Sequence, residues 1–195
     1  MKHLLWSILL WTGCAKKPTW EINNGVSTDN NTPYYTLGTD NNTITRTKPY
    51  SMFWRTIAIG DWIEKDVHYI RYQYLGNTCN QAPGCTVAFG VIFPDYDLKQ
   101  DVNNAHSSVS GFNTQQGNGI EFLGNKWGVG YCNGRGIQIN DIIGVTVDMN
   151  NKTLKFDLNG EDCGIRSNEL PKKVRFAVST ERHQDSIKFI SYEKR

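Results

Sequence analysis

The sequence predicts an all-β domain, an antiparallel sandwich, and three observations carry that prediction. Apolar side chains alternate with polar ones at period two, most clearly at Val145, Val147 and Met149 and again at Leu154, Phe156 and Leu158, as half-buried strands require. From Trp20 to Arg195 no helical apolar period survives for more than about two turns. The 18 Gly residues and the Asn pairs Asn23-Asn24, Asn30-Asn31, Asn41-Asn42, Asn103-Asn104 and Asn150-Asn151 punctuate the chain with residues that tolerate positive φ.

The elements follow in order. Thr43-Ile-Thr-Arg-Thr47 and Met52 to Ile59 are early strands, and Val67 to Leu75 alternates bulky and polar residues. Thr86 to Phe93 is nearly continuous apolar, the composition of a central strand covered on both faces. In Gly144 to Gly160, Val145, Val147 and Met149 face in while Thr146 and Asp148 face out; beyond Asn150-Asn151, Leu154, Phe156 and Leu158 face in and Lys155 and Asp157 out. Asn-Asn suits a two-residue turn with left-handed conformations, and Asn159-Gly160 supplies a second reversal. Val174, Phe176 and Val178 alternate, and Ser186 to Tyr192 closes the series. Of Trp54, Trp62 and Trp127, at least two are assigned to the core for their large apolar area.

Composition narrows the function classes. The chain of 195 residues has length for one domain and no linker that would split it. Lys plus Arg number 21 against 19 Asp plus Glu, interspersed, for a formal net charge of +2; a nucleic-acid binder would show a clustered basic footprint. Six Trp, nine Tyr and eight Phe supply apolar area enough to exclude disorder. The only long apolar run, Leu4 to Trp11, is far shorter than the ~20 residues of a spanning helix. Residues 1–18 are therefore set apart, as a short signal or an added apolar element, from a domain over 19–195. Leu-Trp-Thr-Gly-Cys14 superficially resembles a lipoprotein cleavage box, with Trp11 where a small aliphatic residue belongs. Five Cys at irregular spacing do not form a disulfide scaffold. Cys79 and Cys85 would close a small loop if the chain is secreted; in a reducing cytosol the cysteines would be buried or free thiols.

No catalytic motif stands out: neither a Gly-x-Ser-x-Gly elbow, a His-Glu-x-x-His helix nor a phosphate-binding loop occurs. Asp95, Asp97 and Asp101 put three carboxylates within seven residues, but no closing Glu follows, and they read as a solvated acidic loop rather than a Ca²⁺ site. His68 reads as a satisfied structural histidine, and Cys132 lacks the His or Asn partner a nucleophile needs. No metal or cofactor is expected. The strands offer no facing carboxylate pair of the kind a glycoside hydrolase uses.

The order of these segments resembles the SPRY domain. Gly136 to Gly160 is similar to its signature, in which an acidic residue, an aliphatic pair and Gly (Asp141-Ile-Ile-Gly144) open a strand ending in Asp148, and a hairpin leads to an aromatic-x-x-Asn-Gly segment (Phe156 to Gly160). His68-Tyr-Ile-Arg71 resembles the family's His-Tyr-aromatic-Glu strand, with Arg71 in place of the acid. Ala88-Phe-Gly-Val91, Trp127-Gly-Val129 and Phe176-Ala-Val-Ser179 follow in family order, the last without its Pro. The likeness runs from about Thr19 to Tyr192, and the segment from 95 to 110 is distinctive. It implies a bent, concanavalin-like jelly roll of SPRY type, without catalysis or cofactor, binding a protein or peptide through loops at one end. It implies neither nucleic acid nor membrane as partner, and a monomer in the cytoplasm; secretion or membrane association is the alternative if residues 1–15 act as a signal. Nothing in the chain resembles a RING, a B-box or a coiled coil, so a ubiquitin-ligase role has no support. By position, the ligand-binding candidates are Tyr34 and Tyr35 in one loop, Asp95, Tyr96 and Asp97 in a second, and Glu181, Arg182 and His183 in a third. Aromatic and Arg side chains are the usual anchors of such surfaces, so Tyr96 and Arg182 are expected to bind without supporting the fold. A sugar-binding lectin-like jelly roll is the rival reading.

Overall fold

The computed structural model describes residues 16–21, 34–47, 55–76, 87–96, 98, 119–124, 132, 137–180 and 184–195. Among them every regular element is a strand: β1 (Trp20–Glu21), β2 (Tyr35–Leu37), β3 (Thr43–Arg46), β4 (Arg55–Ile63), β5 (Val67–Tyr74), β6 (Val87–Ile92), β7 (Gly119–Gly124), β8 (Ile142–Asp148), β9 (Thr153–Leu158), β10 (Glu161–Ser167), β11 (Val174–Thr180) and β12 (Ser186–Lys194). They form a five-stranded sheet, β1-β4-β11-β6-β7, and a seven-stranded sheet, β10-β9-β8-β5-β12-β3-β2. Every pairing is antiparallel.

Period-two sequence becomes period-two burial. In β5 His68, Ile70, Tyr72 and Tyr74 point inward, and in β9 Leu154, Phe156 and Leu158 do. The inner faces of the two sheets meet through rings: Tyr72 of the larger sheet lies 5.3 Å from Phe89 and 6.0 Å from Trp20 of the smaller one. β6 lies between β11 and β7 and is buried at every position, as its continuous apolar run required.

The hairpin at 144–160 forms with the expected faces but a different turn. Asp148 pairs with Thr153 across a four-residue connection, and the left-handed residue there is Lys152 (φ 56°), not either Asn. Asp148 Oδ1 accepts the amides of Asn150 and Asn151, at 2.9 and 3.0 Å, and so shapes the turn through a carboxylate at the strand end. The two-residue left-handed turn is instead at Asn159 (φ 55°) and Gly160 (φ 83°), between the paired Leu158 and Glu161.

The polar residues of the signature hold this region together. Asp141 Oδ2 accepts the Gln138 amide at 2.6 Å, and its Oδ1 accepts Asn159 Nδ2 at 2.8 Å. Asn159 Oδ1 in turn accepts the Ile142 amide at 2.8 Å, so the two ends of the motif clamp each other. Gly144 lies beneath a 3.0 Å hydrogen bond from Tyr69 Oη to Asp157 Oδ2, and a Cβ there would come within 1.9 Å of that carboxylate oxygen.

Other expectations need correction. Strands β1, β2, β7 and β10 were not anticipated: they are short, or begin in polar and Gly-rich sequence. Trp62 is 37% exposed, because it sits near the end of β4 on the face turned from the core, while Trp54 and Trp127 lie outside the described residues. Cys132 and Cys163 are disulfide-bonded across 31 residues of sequence, a loop for which the chain-entropy model gives about 3–4 kcal/mol of stabilisation. Cys79 and Cys85 lie outside the described residues.

Phe156, 1% exposed between the sheets, tests the assigned faces. Phe156→Ala lowers unfolding free energy by about 3–5 kcal/mol in urea denaturation; a near-neutral result would contradict its placement in the core.

Candidate functional site

β4 begins, β11 ends and β12 begins at one end of the sandwich, where a buried polar cluster stands in place of apolar packing. Arg46 is fully buried, and a buried guanidinium must be hydrogen-bonded to be tolerated. Its Nη1 donates to the carbonyl oxygen of Thr180. Its backbone is fastened as well: Arg46 N donates to Asp185 O at 2.9 Å, and Gln184 N to Arg46 O at 2.7 Å. Tyr74 Oη donates to Asp185 Oδ1 at 3.0 Å, and Tyr35 Oη lies 3.0 Å from Thr180 Oγ1. Burial raises the Tyr35 pKa above 10, and the nearby Asp185 carboxylate adds to that while Arg46 and the Thr180 hydrogen bond oppose it; the phenol stays neutral at physiological pH. The segment leaving β11 at Thr180 and returning at Gln184 is thus pinned at both ends.

The outer face of the smaller sheet is built for close approach. Ala58 pairs with Ala177 and Ala177 with Gly90, and Thr56, Ser179 and Ala88 form the next row. Small side chains leave a trough, and the chain after β6 turns at Phe93–Tyr96 and folds back over it. Tyr96 and Leu98 pack on Ala58, Ala88, Ile92 and Ala177. The Tyr96 hydroxyl lies 2.6 Å from Thr56 Oγ1, which lies 3.4 Å from Ser179 Oγ.

The sequence-derived candidates therefore separate. Tyr34 and Tyr35 are 7% and 4% exposed; their side chains belong to the core cluster beneath the rim rather than to an exposed loop, and Tyr34 O accepts the Thr47 amide at 2.9 Å. Tyr96 is half-buried and anchors its segment. Asp95 is exposed on the turn beside it. Asp97, Glu181, Arg182 and His183 lie outside the described residues. Two segments do converge on the end of β11, one through Tyr35 and Thr180, the other through Tyr96, Thr56 and Ser179. Sequence reasoning missed Arg46, Tyr74 and Asp185. The available signal was Arg46 itself, two residues from Ile44 and so on the core face of β3.

No family model and no curated protein matches the sequence. Solved structures do. The SPRY domain of human HERC1 superposes with TM-score 0.57 at 10% identity, over 80% of this chain and 92% of that one. The TRIM65 PSpry domain gives 0.58 at 10%, over 90% and 93%. The neuralized NHR1 domain of Drosophila melanogaster gives 0.55 at 12%, over 90% and 98%. The fold is SPRY-like, and the two packed antiparallel sheets are the sandwich that the order of motifs implied.

Among the described residues no group of His, Cys, Asp and Glu is arranged to hold a metal ion, and no helix is long and apolar enough to cross a membrane. Cys132 is in a disulfide rather than poised as a nucleophile. His68 is satisfied on both nitrogens: Nε2 is 2.8 Å from Lys65 O, and so carries the proton, leaving Nδ1 to accept from Tyr192 Oη at 2.5 Å. Burial, aided by Lys194, lowers the His68 pKa below 6.5 against the opposing effects of the Lys65 carbonyl and Asp66. The unfolded chain then binds the extra proton more readily, so stability falls as pH drops through the unfolded pKa near 6.5 towards the folded one. Urea midpoints measured between about pH 7.5 and 5.5 show this loss, and in His68→Gln that component disappears.

Proposed function

We propose that the protein is a non-catalytic interaction module that grips a protein or peptide with the loops gathered around the end of β11. The observation that carries this reading is the double tether: Tyr35 to Thr180 on the inner side, and on the outer Tyr96 to Thr56, which in turn bonds Ser179. Loops fastened to a rigid frame are pre-ordered, which lowers the entropic cost of association, while their tips remain free to differ without unfolding the core. The contact residues in this reading are Asp95, Asp97, Glu181, Arg182 and His183; Tyr34, Tyr35 and Tyr96 belong to the frame rather than to the contact.

The Cys132–Cys163 disulfide bears on where this happens. Disulfides persist in oxidising compartments and are rare in the cytosol, so the bond favours the secreted or membrane-associated alternative over the cytoplasm that the family resemblance implied.

Affinity purification of the intact protein from its source, followed by binding with the partner recovered, tests the rim. Arg182→Ala and Asp95→Ala each weaken binding by about fivefold or more and leave melting within about 2 °C. Tyr96→Ala lowers melting as well, by about 4 °C or more. Rim variants that bind normally would sink the reading, and saturable sugar binding lost in Asp95→Ala would replace it with a lectin. Alkylation of the native protein without reductant leaves Cys132 and Cys163 unmodified; labelling of both would return the chain to a reducing compartment.

A further inference from the structure

The opposite end of the sandwich carries a feature that the rim does not use. A cavity of about 270 Å³ opens between the segment leading into β1 and the ends of β4 and β12. Lys16, Lys17 and Lys194 line it, with Asp61 as the single carboxylate and Trp62 and Tyr192 as aromatic walls. Lys194 is held by Asp66 at 2.8 Å. Lys17 Nζ sits 5.9 Å over the Phe189 ring, and neither Lys16 nor Lys17 has a carboxylate partner among the described residues.

We propose that this cavity is a second binding site, which takes an anionic side chain of a peptide, a carboxylate or a phosphate, with the body of that side chain against Trp62. The charge argument is direct. Like charges around one concavity repel, and an anion placed among them relieves the repulsion while making charge-assisted hydrogen bonds. The volume is too small for a folded surface and suits one side chain. Trp62 contributes what a bare cation cluster lacks. It is 37% exposed, large for a ring that is not in the core, and Lys173 lies 5.5 Å over it, so the indole is held by a cation–π contact instead of by burial. A ring kept at a cavity wall in this way offers an apolar surface to a ligand at low ordering cost. The His68 ring, which lines the cavity too, fixes the Tyr192 hydroxyl by their 2.5 Å hydrogen bond, so that wall is rigid as well.

The site does not depend on the rim, and calorimetric titration of the full chain separates the two. The probes are N-acetyl-phosphotyrosinamide, N-acetyl-glutamic acid amide, neutral N-acetyl-tyrosinamide and inorganic phosphate. At least one anionic amide binds saturably, and its affinity falls about tenfold or more in the Lys16→Glu/Lys17→Glu variant and on raising salt from about 0.05 to 0.5 M. Which amide binds tells a phosphorylated side chain from an acidic one. Trp62→Ala weakens the bound amide and leaves inorganic phosphate unchanged, and Arg182→Ala at the rim changes neither. The double variant is checked for an unaltered melting temperature, as exposed lysines allow. Absence of saturable binding by both anionic amides, binding unaffected by the double variant, or equal binding of the neutral amide would overturn the proposal.

Discussion

The structure depends on the contact between the inner faces of its two sheets, and at the centre of that contact is Tyr72. Its ring meets Phe89 and Trp20 of the facing sheet, and around it Ile70, Val145, Phe156, Ile57, Phe176 and Val178 are all almost wholly buried. Each side chain of this kind contributes about 1.5–3 kcal/mol by leaving water. Because side chains alternate strictly along a strand, a slip of one residue in β5 or β9 would expose its whole apolar set. The register is therefore fixed by the core, and the positions of the strand ends follow from it.

Polar devices finish what the core begins, and they sit where strands stop. Trp20 reaches across to the turn between β2 and β3, its indole N–H donating to Asn42 O at 2.9 Å, and ties the first strand of one sheet to a turn of the other. Asp141 and Asn159 close the end of the β8–β9 hairpin. Arg46, Tyr74, Thr180 and Asp185 close the end from which the proposed grip extends. The Asp141–Asn159 clamp closes within one hairpin, whereas Arg46, Tyr74, Thr180 and Asp185 find one another only once strands far apart in sequence are packed.

The two ends of the sandwich divide the proposed work. At one, Tyr35 and Tyr96 fasten the flanking chain to the end of β11 from both faces, and the proposed grip lies there. At the other, lysines and a held tryptophan surround a cavity the size of one side chain. Both rest on strand ends of the same frame, so neither requires the frame to move.

Much of the fold was legible one strand at a time. Strands β5, β6, β8, β9, β11 and β12 carry their alternation or their continuous apolar run openly, since burial against one neighbour needs only local pattern. Strands β7 and β10 were not legible, because pairing with β6 and β9, and for β10 the Cys132–Cys163 bond, rather than their own composition, decide them. The site divides in the same way. Loop position marked Asp95 and Tyr96, but only the trough of Ala58, Ala88 and Ala177 turns Tyr96 into an anchor, and only packing into the core cluster takes Tyr34 and Tyr35 out of solvent. Alternation, a property of neighbouring residues, determined which face of each strand is dry; which polar groups meet at the strand ends was decided by sheet order and register, because hydrogen bonds between residues more than a hundred positions apart exist only after the chain has closed on itself.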